Sequence, residues 1–189
     1  MLPLQSDSLL ELGLIAVAGP AVVPRAAEDE VLRLFDRCAP SLLRYVASFG
    51  LNAGDSEDVV QEVFLALFRH LRLGRSREHL KAWLFRVAHN LALKQRTRLR
   101  RRAMQPWDIA VDEHADPSPD PEQLLIRQER RGRMKPVLRA LPARDRHCLF
   151  LRAQGLRYRE IAEALGMSLG GVAKALTRSI TRLVNADRR

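Results

Sequence analysis

The chain has 189 residues, of which 47% are hydrophobic, and its 32 Lys+Arg outnumber 22 Asp+Glu to give a formal net charge of +10. A surplus of that size attracts polyanions, with nucleic acid the leading candidate. Aromatic residues are only 5% of the chain and β-branched residues do not alternate, which leaves a sheet without support. The two cysteines, Cys38 and Cys148, lack the spacing of a zinc site or a disulfide framework.

Residues 1–27 read as a poorly ordered N-terminal tail. Leu12 to Val23 carry no charge, but they fall short of the ~20 apolar residues that span a bilayer. Asp7 and Glu11 stand where a secretory signal needs positive charge. No membrane insertion is expected, and the chain reads as cytoplasmic.

From residue 28 a helical period begins, with Phe35, Cys38, Leu42, Val46 and Phe49 recurring at steps of three and four and Pro40 expected to bend or split the helix. A second helix is expected to start at Asp55 or Ser56 and to bury Val60, Phe64, Leu67 and Leu71. Acids in its first turn suit the helix dipole, which accounts for Glu57. It does not account for Asp58, Gln61 and Glu62, an acidic and amide-rich surface on a basic protein, and these point to a protein partner.

A third helix, roughly Glu78 to Arg102, buries Leu80, Leu84, Val87, Ala88 and Leu91 before turning basic, six of the nine residues from Lys94 to Arg102 being Lys or Arg. A charge run is most often a solvated face. Trp83, Phe85, His89 and Asn90 just upstream give it a second reading, since aromatic and amide groups beside a cationic run suit single-stranded nucleic acid. Trp83 itself fits a core position.

Residues 103–121 contain no Lys or Arg and are rich in acids and proline, which marks a linker. Asp120, Pro121 and Gln123 then supply a helix start. A second domain, 122–189, runs through Leu124, Leu125, Val137 and Leu138, is expected to break near Pro136, and continues as a helix from Arg144 to Arg152.

The stretch Tyr158 to Leu183 reads as a helix-turn-helix. Tyr158 to Leu165 forms the first helix, burying Ile161, Ala162 and Leu165; Gly166 suits a left-handed helix end, and Ser168 can cap the next helix. In that next helix Val172, Leu176, Ile180 and Leu183 share one face and Lys174, Arg178 and Arg182 line the other. Gly170 and Gly171 let backbone approach a major groove while the cations reach phosphate. The plainer alternative is a solvated basic face on an ordinary helical hairpin.

Two blocks, DSEDVVQEVFLALFRHL with KAWLFRVAHNLALKQRTRLRRR and LRALPARDRHCLFLRAQGLRYREIAEALGMSLGGVAKAL, resemble regions two and four of the extracytoplasmic-function (ECF) sigma factors of bacterial RNA polymerase. The resemblance implies an all-α fold of two small helical domains, 28–102 and 122–189. It implies core RNA polymerase (β′ coiled-coil and β flap) and promoter DNA as partners, with an anti-sigma factor as a further candidate. On it, Asp58, Gln61 and Glu62 match the DxxQE polymerase dock. Asn90 with the loop that carries Arg75 and Arg77 matches the part that holds an unstacked minus-ten base, and Lys94, Arg96, Arg98 and Arg101 anchor backbone beside it. Ser168, Gly170, Gly171, Lys174, Thr177, Arg178 and Arg182 fall at the minus-thirty-five duplex. The motif departs from VGTVKSRL by reading LGGVAKAL, which puts Ala173 and Ala175 at two polar contact positions.

No catalytic residue, cofactor or metal site is expected. A stand-alone helix-turn-helix regulator is the alternative function, though no dimer surface or ligand domain is visible for it.

Overall fold

The computed structural model describes residues 25–102 and 132–188, and every regular element among them is a helix. In chain order these are α1 (Arg25–Ala47), α2 (Ala53–Arg72), α3 (Leu80–Arg102), α4 (132–139), α5 (Ala143–Ala153), α6 (Tyr158–Leu165) and α7 (Leu169–Asp187). The expected tail, the linker and the helix start at Asp120 lie outside the described residues, apart from the short stretch from Arg25.

Helices α1, α2 and α3 pack on one another around Leu42, Val46, Val63, Leu67, Leu84 and Phe85, all fully buried. Truncating any one of these leucines to Ala costs about 2–5 kcal/mol. The apolar period finds buried residues correctly at Cys38, Leu42 and Val46 of α1 and at Phe49 just beyond it, but Phe35 stays 45% exposed, with its ring 4.9 Å from that of Phe64. Tyr45, which the period did not single out, is completely buried.

Three expected boundaries move. Helix α1 runs unbroken through Pro40 because Cys38, Ala39 and Leu42 pin it to the core on either side while the proline ring faces solvent. The turns of α4 likewise continue through the exposed Pro136. Helix α2 starts at Ala53, earlier than the expected Asp55 or Ser56, because Asn52 caps it: its Oδ1 accepts from the Asp55 N–H at 2.7 Å.

The C-terminal helices form a second group, α5 packing on α6 and α7, and this group sits against α1 and α3. The seam is aromatic. His147 of α5 stacks on Phe49 with centroids 4.3 Å apart and meets Tyr45 edge-on at 5.5 Å, while Phe150 lies 5.2 Å from Tyr45. The Tyr45 hydroxyl and His89 Nδ1 are 2.9 Å apart. At the rim, the Lys81 ammonium donates to the Gln154 carbonyl at 2.6 Å, and His79 Nδ1 lies 2.9 Å from a carboxylate oxygen of Glu160.

Burial pushes His89 down to about 4, with Arg96 adding to the effect, and pushes His147 down to about 3, with His89, Arg146 and Arg96 contributing. Both rings are neutral in the folded chain and regain a pKa near 6.5 when exposed. The folded state therefore keeps its full advantage above pH ~6.5 and loses it progressively as pH falls toward 4, because the exposed rings bind protons that the packed ones refuse. The thermal midpoint of the full chain is expected to fall more steeply between pH 6.5 and 4.5 than that of a His89→Gln/His147→Gln variant. Equal slopes in calorimetry would show that neither ring governs acid lability.

Candidate nucleic-acid interface

The C-terminal site is built by local chemistry. Helix α6 ends at Gly166, whose φ of 60° places it in the left-handed region that glycine occupies without strain, and the Met167 N–H donates to the Ala162 carbonyl. Ser168 then caps α7, its Oγ accepting from the Gly171 N–H at 3.1 Å. A Cβ on Gly171 would meet that same Oγ at 3.1 Å, a tight contact that the cap would have to ease by a few tenths of an ångström, whereas a Cβ on Gly170 would meet nothing within 4 Å.

Helix α7 buries Val172, Ala175, Leu176 and Ser179, the last returning its hydroxyl to the Ala175 carbonyl at 2.8 Å. This rotates the expected face: Ile180 is 47% exposed and Leu183 half-buried. The small side chains of Ala175 and Ser179 are buried instead. Ala175, 1% exposed, is therefore not a surface contact position, although Ala173 remains partly accessible.

Lys174, Thr177 and Arg182 are exposed on α7, together with Ser168 and Gly170 at its start, and Gly171 is half-buried. Arg178 is differently placed. Its Nε and NH2 donate to the two carboxylate oxygens of Asp145 at 2.7 and 2.8 Å, tying α7 to the first turn of α5. Asp145 is only 3% exposed, and its carboxylate holds the Arg178 proton more firmly than usual. Such a fork fixes the helix as well as carrying charge.

The second basic surface follows α3. Asn90, Lys94, Arg98 and Arg101 are exposed, and the last three line an open groove with Leu93 and Thr97. Arg96 is half-buried, its pKa drawn down by burial and then by Arg100. Arg75 is exposed in the loop after α2, while Arg77 reaches Glu30 at 3.2 Å in a surface ion pair. Two aromatic candidates for base stacking do not face solvent. Phe85 is fully buried and His89 is 9% exposed, because both face the seam with α5; Trp83 is half-buried, with its ring 4.7 Å from that of His70.

Asp58, Gln61 and Glu62 lie together on the exposed side of α2, with Val59, Val60, Val63 and Phe64 buried on the other side. The chain thus presents an acidic surface on α2, a basic surface with an amide on α3 and a capped basic helix at α7. Asp145 was the residue that sequence reasoning missed at these surfaces; it stands 33 positions from Arg178, beyond any local pattern.

Residues 34–102 match Sigma-70 region 2 and residues 134–183 match Sigma-70, region 4. The chain is 36% identical to the ECF RNA polymerase sigma factor ShbA of Streptomyces griseus, over 86% of this chain and 92% of that protein. It is 33% identical to the ECF RNA polymerase sigma factor SigD of Mycobacterium tuberculosis, over 89% and 78%. Against the probable RNA polymerase sigma factor RfaY of Xanthomonas campestris it is 30% identical over 78% of this chain, spanning 38% of that longer protein. A solved relative in fold is the sigma factor RpoE of Bartonella quintana in complex with the anti-sigma factor NepR, at a TM-score of 0.65 and 22% identity over 86% of this chain and 97% of that one.

Proposed function

We propose that this chain, which belongs to the ECF sigma factors of bacterial RNA polymerase, docks on core polymerase through α2 and reads its promoter through two separate basic surfaces. Asp58, Gln61 and Glu62 form the polymerase contact. Lys174, Thr177 and Arg182, with the α7 start at Ser168, Gly170 and Gly171, face the minus-thirty-five duplex, and Arg178 braces the helix that carries them. Asn90 receives an unstacked base of the minus-ten element, while Arg75, Arg77, Lys94, Arg96, Arg98 and Arg101 neutralise the backbone around it.

The observation that carries this reading is the pairing of a capped, cation-bearing helix with a second basic helix displaying an exposed amide. Asn90 offers a donor and an acceptor on a short side chain, so it can read the edge of an extruded base. Extrusion costs a few kcal/mol, which contacts to the base must offset.

The work of such a factor is binding and strand separation, for which its residues need no catalytic group. It acts where polymerase and DNA meet, in the cytoplasm; no helix among the described residues is long and apolar enough to cross a membrane. An anti-sigma protein is a further partner we assign, because the RpoE relative is bound to one.

Transcription in vitro with core enzyme on genomic fragments tests the whole reading. Within it, Asn90→Ala is expected to leave docking and closed complexes intact and to reduce open complexes on the native promoter. A template already mismatched at the minus-ten region should relieve only the unpairing cost and leave a residual defect. Permanganate footprinting on both templates measures this, and wild-type opening on duplex DNA would remove Asn90 from melting.

A further inference from the structure

We infer that His70 is a positioning residue for minus-ten recognition: its imidazole ties the loop between α2 and α3 to the helix that carries Asn90. The inference rests on the minus-ten reading given above and adds to it a residue that acts through the loop.

The loop, residues 73–79, leaves α2 through Gly74, whose φ of 64° lies in the left-handed region. His70 then meets it twice. Its main-chain carbonyl accepts from the Arg75 N–H at 3.3 Å, and its ring Nε2 lies 2.8 Å from the Ser76 carbonyl. A carbonyl oxygen only accepts, so the ring nitrogen carries a hydrogen and donates it. The same ring packs at a tilt on Trp83, with centroids 4.7 Å apart. Trp83 stands in the first turn of α3, and its N–H donates to the His79 carbonyl at 3.0 Å. One side chain therefore joins the end of α2, the middle of the loop and the start of α3.

Other ties along the loop are weaker or local. Arg77 pairs with Glu30 at 3.2 Å, but the arginine side chain is 52% exposed, and exposed pairs contribute little. The Ser76 hydroxyl accepts from the Glu78 N–H at 3.2 Å, a bond within the loop itself. His79 closes the loop at a φ of 54°, a left-handed conformation that a non-glycine residue keeps where neighbouring contacts hold it.

The anchor point matters because of where Trp83 lies. Trp83, Val87, Asn90 and Lys94 recur at steps of four, three and four, so they share one face of α3. Asn90 is seven residues beyond Trp83, about 10 Å along a helix that rises ~1.5 Å per residue. The loop, with Leu73 and Arg75 exposed on it, is thus held beside the near end of the face from which Asn90 reads a base. A loop already fixed in shape gives up little freedom when nucleic acid binds, so its contacts count more fully toward affinity. A loose loop would let the extruded base settle in more than one pose, and Asn90 would no longer tell one base from another.

Base preference is the test, because a residue that only stabilised the fold would weaken initiation equally for all bases. A fragment on which the wild-type chain starts transcription with core enzyme is made with each of the four bases at every minus-ten position, and initial transcription rates are measured. Asn90→Ala marks the position that the amide reads, as the one where the preference disappears. There His70→Phe, which keeps a ring against Trp83 but has no donor, should lower the ratio of best to worst base roughly tenfold while binding to core polymerase stays unchanged. His70→Gln, whose amide nitrogen can take the place of Nε2, should retain most of the preference. In the free full-length chain the Arg75 and Glu78 N–H groups should exchange roughly tenfold faster in His70→Phe than in His70→Gln.

An undiminished preference in His70→Phe would overturn the inference, as would equal exchange rates or a loss of rate shared by all four bases. Should His70→Phe fail to fold, His70→Gln and His70→Asn decide the matter, since the shorter amide falls short of the Ser76 carbonyl; equal preferences in these two would overturn it. If Asn90→Ala alters no preference at any position, or the wild-type chain starts transcription nowhere, the minus-ten reading itself fails and the inference falls with it.

Discussion

Replacing Asp58 and Glu62 together with Lys is expected to abolish binding to core RNA polymerase while helicity and thermal midpoint stay near those of the wild type. Both side chains are exposed on α2, on the side away from Val59, Val60 and Val63, so the fold has little stake in them. Surface substitutions of this kind usually change stability by no more than about 0.5 kcal/mol. Both residues also stand beyond the first turn of α2, where the helix dipole has largely faded. At an interface the same change sets like charge against like, which costs several kcal/mol and weakens binding about 100-fold or more. Titration of labelled protein with core enzyme measures it, and undiminished binding by the folded double variant would move the dock elsewhere.

The second large effect separates two cations that look equivalent in the sequence. Lys174→Ala should leave the fold intact and reduce the slope of log affinity against log salt by about one, since one phosphate contact is lost. Arg178→Ala should instead loosen the C-terminal helices and remove minus-thirty-five binding at every salt concentration, because it strands the buried carboxylate of Asp145. Replacing both partners, as Asp145→Leu/Arg178→Met, should recover much of the lost thermal stability. A stable Arg178→Ala protein with a reduced salt slope would make Arg178 a phosphate contact after all.

Legibility in the sequence followed the range of the interactions. The turn between α6 and α7 could be read directly, because Gly166 and Ser168 act on backbone groups a few residues away. The exposed acids of α2 were equally plain, since its apolar row is regular. What could not be read was anything set by a distant helix. Tyr45, Phe85 and His89 go inside because α5 lies against them, and no period within α1 or α3 announces that. The face of α7 was misjudged for a related reason: its inner side carries the small Ala175 and Ser179 beside Val172 and Leu176, while Ile180 is left facing water. The Asp145–Arg178 fork belongs to the same class.

The two glycines that open α7 have unequal consequences for anyone who wants to retarget the protein to a different promoter. At Gly171 an added Cβ would crowd the serine that caps the helix, which would have to give by a few tenths of an ångström, so this position is the less open of the two. Gly170 stands in open space with nothing to strike. A library varied at Gly170, Ala173 and Lys174 would thus explore new sequence preferences on a scaffold whose fold it leaves alone. Position 170 is the place where such a search would add surface rather than exchange it.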